Sequence, residues 1–198
     1  LKQVAEKYGK PRKTEILYHI DEIEPEEEAE QVPDYPVTLF VSKEGYLKKI
    51  TAQSLRMSGE QKFKEGDSLA FSVETTNKAE ILVFTDKFQC YKSRLFDFED
   101  SKASLLGDYL PQKLSFEPEE KVLQVILPGD YKGFVMFFFA NGKAAKVPLS
   151  AYETKTNRKK LTGAYSDKSP LKTAMALQTD EQVAVYSTDS RAVIFSTA

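Results

Sequence analysis

An apolar strand, a turn and a second strand containing a base recur four times in this chain. That recurrence limits it to folds built from short antiparallel hairpins. Val37-Thr38-Leu39-Phe40-Val41 leads through Glu44-Gly45 into Tyr46-Leu47-Lys48-Lys49-Ile50. Ile81-Leu82-Val83-Phe84 leads through Asp86-Lys87 into Phe88-Gln89-Cys90-Tyr91-Lys92. Phe134 to Phe139 leads through Asn141-Gly142 into Lys143-Ala144-Ala145-Lys146-Val147, and Val183 to Tyr186 through Asp189-Ser190 into Arg191 to Phe195. Asn-Gly and Asp-x pairs between apolar runs favour hairpins because a tight turn needs positive φ. The turn points Gly45, Lys87, Gly142 and Ser190 lie 42, 55 and 48 residues apart.

A further strand precedes each of the last three hairpins: Leu69 to Val73, Val122 to Leu127 and Ala174 to Leu177. The repeating unit therefore reads as strand, short polar link, hairpin and long loop. Repeats of about 40–50 residues made of short strands are the signature of propeller blades. A β-sandwich also supplies many short strands and stays open on periodicity alone. The long loop returns at the same point of each unit, which favours blades. These loops, Gln53 to Asp67, Phe98 to Lys113 and Glu153 to Ser169, hold much of the basic charge.

Composition removes several functional classes. Of 198 residues, 41% are hydrophobic and 29% charged, which is globular and not disordered. The longest apolar run, Phe134 to Ala140, falls far short of the ~20 residues of a membrane span, so no membrane partner is expected. One cysteine, Cys90, leaves no internal disulfide and suits a reducing compartment. With one histidine, His19, neither a multi-ligand metal site nor a nucleophile-histidine machine is expected, and no glycine-rich run ends in Gly-Lys-Ser or Gly-Lys-Thr. No catalytic residue, metal or cofactor is assigned. His19 reads as a strand histidine and Cys90 as a small core residue. The charge is uneven: residues 21–34 carry eight acids and no base, whereas residues 35–198 carry 23 bases against 20 acids. The acidic run, flanked by Pro25 and Pro33, reads as a solvated loop.

Ahead of it, Leu1, Val4, Ala5 and Tyr8 share one helical face, Gly9 is a C-cap and Pro11 blocks continuation. Ile16, Tyr18 and Ile20 alternate as a strand. The stretch Glu6-Lys7-Tyr8-Gly9-Lys10-Pro11-Arg12-Lys13-Thr14-Glu15-Ile16 resembles the junction between the cleavage core and the C-terminal DNA-wrapping domain of bacterial type IIA topoisomerase A subunits, the family of DNA gyrase and topoisomerase IV. Leu39 to Lys49 and Val83 to Lys92 are similar to the blade hairpins of that domain. Glu60-Gln61-Lys62-Phe63-Lys64-Glu65-Gly66 resembles the family's glycine-rich basic box without its paired glycines.

The resemblance implies an all-β fold, a β-pinwheel of several propeller-like blades with a short N-terminal helix end. Residues 1–14 would end a helical linker, and 15–198 would form the pinwheel as a partial set of blades, with an acidic loop at 21–34. It implies double-stranded DNA as partner, bent without sequence readout around a basic rim. The implied rim comprises Lys48, Lys49, Arg56, Lys62, Lys64, Lys92, Arg94, Lys146, Arg158, Lys159 and Lys160. Further partners would be the ATPase B subunit of the enzyme, together with the remainder of the topoisomerase A polypeptide. The chain would serve an ATP-dependent enzyme in the cytoplasm, at the nucleoid, with cleavage and ATP hydrolysis done elsewhere. A propeller-type protein-binding module is the alternative.

Overall fold

All four expected hairpins are present in the computed structural model, which describes residues 32–58, 60–154 and 159–198. β1 (Pro36–Ser42) pairs with β2 (Tyr46–Thr51), β4 (Glu80–Thr85) with β5 (Gln89–Arg94), β8 (Phe134–Phe139) with β9 (Ala144–Pro148), and β12 (Gln182–Tyr186) with β13 (Ala192–Ser196). Each turn contains one left-handed residue: Gly45 (φ 90°), Phe88 (φ 58°), Gly142 (φ 77°) and Ser190 (φ 64°). This is the positive φ that the turn dipeptides provide for. Pro33–Ala198 is one compact unit. The expected helix end, the strand at 15–20, His19, the acidic loop up to residue 31 and Arg158 lie outside the described residues.

The repeating unit has a different phase from the one read in the sequence. The strand preceding each hairpin pairs with the first strand of the hairpin before it. β3 (Leu69–Thr76) joins β1, β7 (Val122–Ile126) joins β4, and β11 (Leu171–Leu177) joins β8, all antiparallel. The long loops then extend the sheets from the other side. β6 (Asp108–Tyr109), from the loop after the second hairpin, pairs with β2 of the first sheet. β10 (Lys160–Thr162), from the loop after the third, pairs with β5 of the second. The sheet orders are therefore β3-β1-β2-β6, β10-β5-β4-β7, β11-β8-β9 and β12-β13. Each of these two loops pairs with the sheet one blade back, so the first three blades are tied by main chain as well as by packing.

The core lies between faces of successive sheets. β4 is buried on both sides, as expected for a continuous apolar strand. Ile81 and Val83 pack against Val37, Leu39, Val41 and Leu47 of the first sheet. Leu82 and Phe84 pack against Val135, Phe137 and Phe139 of the third. Tyr152 and Tyr165 close the second cluster, with the Phe84 and Phe137 rings 5.3 Å apart at 75°. Cys90 is buried here, as expected of a small core residue, and burial pushes its thiol far above the ordinary value.

Candidate nucleic-acid interface

Counted from the left-handed turn residue, Lys49, Lys92 and Lys146 occupy the same place, four residues on. They face Leu39, Leu82 and Met136 across their hairpins. The sequence assigns them to a basic rim. The structure spends them on joining blades. Lys49 is 3% exposed; its ammonium donates to Asn77 Oδ1 at 2.7 Å and lies 3.1 Å from Asp100. Asn77 and Asp100 flank the next hairpin. Lys146 donates to Asp180 Oδ1 at 2.6 Å and to the Thr197 carbonyl at 2.8 Å, again on either side of the next hairpin. The Phe134 ring lies 4.1 Å from the same ammonium. Lys92, 14% exposed at its side chain, pairs with Glu80 at 3.2 Å. The Tyr131 ring, from the segment entering the third hairpin, lies 4.9 Å from its ammonium. The Tyr131 hydroxyl donates to Glu80 at 2.6 Å. Burial raises the Glu80 carboxyl, but this hydroxyl and Lys92 outweigh it and hold the group below its ordinary value.

Lys48 is also withdrawn from the rim. It is 2% exposed, and its ammonium donates to the carbonyls of Lys62 and Ala103 and to Gln61 Oε1. Burial pushes it below the ordinary lysine value. It fastens the box-like loop to the loop arriving from the second blade. A β-strand lysine reads as wet-face chemistry in a sequence; here the carbonyls of two loops replace water around it.

The remaining predicted cations divide. Arg94 lies 3.5 Å from Glu80. Lys64 pairs with Glu44, and Lys160 with Glu117, each at 2.7 Å. These last two pairs are at the surface, where a phosphate can compete with the carboxylate. Arg56, at the end of the helix α1 (Ala52–Arg56), Lys62 and Lys159 are exposed and form no ion pair among the described residues. Arg158 lies outside them, so its cluster with Lys159 and Lys160 is described only in part.

No family model matches the chain. The A subunit of DNA topoisomerase 4 from Staphylococcus epidermidis is 26% identical over 202 aligned positions, covering 100% of this chain and 25% of that protein. The Staphylococcus aureus protein of the same name is 25% identical over 203 positions, with the same coverage. The C-terminal domain of DNA topoisomerase IV superposes with a TM-score of 0.70 at 21% identity, over 83% of this chain and 52% of that one. The E. coli ParC C-terminal domain gives 0.59 at 16% identity, over 81% and 64%. The chain's homologues are topoisomerase A subunits. It spans about a quarter of the length of these relatives.

The expected β-pinwheel is the fold of these topoisomerase C-terminal domains. In this topoisomerase-like chain the box-like loop, which lacks paired glycines, is fastened from beneath by Lys48. Gln61 and the Lys62 backbone are held by Lys48, which leaves the Lys62 side chain facing solvent. Sequence reasoning passed over the hairpin turns. The first three carry Lys43, Lys87 and Lys143, all exposed and without an ion pair among the described residues. Their recurrence is visible in the sequence, but it is masked by strand lysines that recur more regularly.

Proposed function

We propose that this type IIA topoisomerase C-terminal domain binds duplex DNA without sequence preference and bends it along successive blades. The observation that carries this reading is similarity along the whole chain to the topoisomerase 4 A subunits, together with the fold shared with a topoisomerase IV C-terminal domain. Exposed cations outside the inter-blade contacts support it. The mechanism is electrostatic: lysine and arginine side chains neutralise phosphates and release counterions. The short helices α1 and α2 (Leu110–Lys113) do not form a recognition helix, so the contacts position the duplex without reading bases. Bending a 20–30 bp site by 40–90° costs roughly 1–6 kcal/mol, which several phosphate contacts must offset. In the full enzyme, acting in the cytoplasm at the nucleoid, the remainder of the topoisomerase A polypeptide would supply cleavage, and a separate ATPase partner would supply ATP hydrolysis.

Mobility shifts with two duplexes of unrelated sequence test the reading. Equal affinities are expected, with roughly 100-fold weakening between 50 and 200 mM salt if about four phosphates are neutralised. No binding at 50 mM salt, or binding insensitive to salt, overturns it. One observation favours the alternative of a protein-binding module: Tyr186, Val193 and Ile194 of the two-stranded fourth sheet are exposed. That reading gains if these three, and no lysine, govern what the chain retains.

A further inference from the structure

We infer that the hairpin turns of the first three blades form the main phosphate-contacting track, through Lys43, Lys87 and Lys143, rather than the lysines of the second hairpin strands. The inference rests on the DNA-binding reading above and names the residues that carry it.

Three observations place it there. The first is elimination. Lys48, Lys49 and Lys92 are largely buried, with their ammonium groups committed to carbonyls, carboxylates and rings within the protein; Lys146 is exposed, but its ammonium is held at once by Asp180, the Thr197 carbonyl and the Phe134 ring. A buried or bridged ammonium that moves to a phosphate leaves its former acceptors unpaired, which costs about as much as the new contact yields. The ammonium groups of the turn lysines form no ion pair among the described residues, so turning to a phosphate breaks none.

The second is position. Each of these three turns is anchored by the same backbone contact, in which the start of the returning strand segment lies beside it. Lys43 N donates to the Ser68 carbonyl at 2.9 Å, Asp86 N to the Lys121 carbonyl at 3.1 Å, and Ala140 N to the Pro170 carbonyl at 2.9 Å. The turns are therefore equivalent points of three successive sheets, and a duplex following the array meets one after another. The returning segment brings a second exposed lysine close to the second and third turns, Lys121 and Lys168. Phosphate binding favours such clustered cations on one side.

The third is the state of the neighbouring acids. Glu44 in the first turn is neutralised by Lys64 at 2.7 Å, and Asp67 beside that turn accepts the backbone N–H groups of Glu44 and Ser68. Asp86 in the second accepts the Lys121 backbone N–H at 2.8 Å. The third turn, Ala140 to Lys143, contains no acid. The fourth differs: Asp189 pairs with Arg191 at 3.3 Å within the turn, so the track runs over three blades and stops.

The test compares the 198-residue chain with two triple variants, Lys43→Glu/Lys87→Glu/Lys143→Glu and Lys78→Glu/Lys102→Glu/Lys132→Glu. The second set is also exposed and lies outside the turns and the segments hydrogen-bonded to them. Dissociation constants for one duplex are measured at several salt concentrations, with thermal melts confirming the fold. A Lys→Gln version of the turn set guards against repulsion acting at a distance. The turn set is expected to weaken binding on the order of tenfold or more at 100 mM salt, and its Gln version to lower the salt slope by about 3, one per phosphate contact. The control set should shift both much less. If the unaltered chain binds and the two sets behave alike, the track is not at the turns. If the unaltered chain does not bind, the DNA reading itself fails, and this inference with it.

Discussion

Glu80 shows how one residue can hold two blades at once. It accepts the Tyr131 hydroxyl from the segment entering the third hairpin and pairs with Lys92 and Arg94 of its own hairpin. Its carboxyl titrates below the ordinary value when folded. An acid depressed in the folded state contributes stability that is present above its unfolded pKa, about 4.3, and is lost as pH falls through the folded value. Melting temperatures of the unaltered chain and Glu80→Gln, compared at pH 7, 5, 4 and 3, test this. The variant should melt lower at pH 7 and lose less on acidification, so the two curves converge below pH 4. An identical acid loss in both would remove Glu80 from the inter-blade contact.

At the scale of elements, the two-residue strand β6 and the loop before it depend on Gly107. This residue has φ 87°, and a Cβ there would run into the Leu47 carbonyl and lie 2.7 Å from Lys48 Cγ. Only glycine combines that conformation with so close an approach. Gly107→Ala should destabilise the unit by about 2–4 kcal/mol, a fall in Tm of roughly 5–15 °C. Thermal unfolding followed by circular dichroism measures it, and an unchanged Tm would contradict the close approach. The strand exchange that Gly107 permits was not legible in the sequence. The hairpins were, because the two strands and the turn of each lie within 15 or 16 consecutive residues. Leu69–Thr76 alternates in the same way whichever neighbour it pairs with, and Asp108–Tyr109 is too short for any period. Pairing between elements is decided by which apolar faces meet, and that information is not local.

For the whole molecule, the recurrence of the lysines was legible in the sequence and their partners were not: the acceptors that occupy Lys49 and Lys146 lie 28 to 51 residues away in the chain. No window around either lysine contains them. The cations fall into two groups: those inside the hairpins join blade to blade, and those at turns and loop surfaces remain for phosphate. If successive blades present the second group along a curve, a bound duplex must bend. The direct measurement is energy transfer between dyes at the two ends of a duplex of about 40 bp, far shorter than the persistence length of about 150 bp, with and without saturating protein at low salt. A clear rise in transfer on binding, reversed as salt displaces the protein, is the predicted result. Binding that leaves the end-to-end distance of the straight duplex unchanged would contradict it.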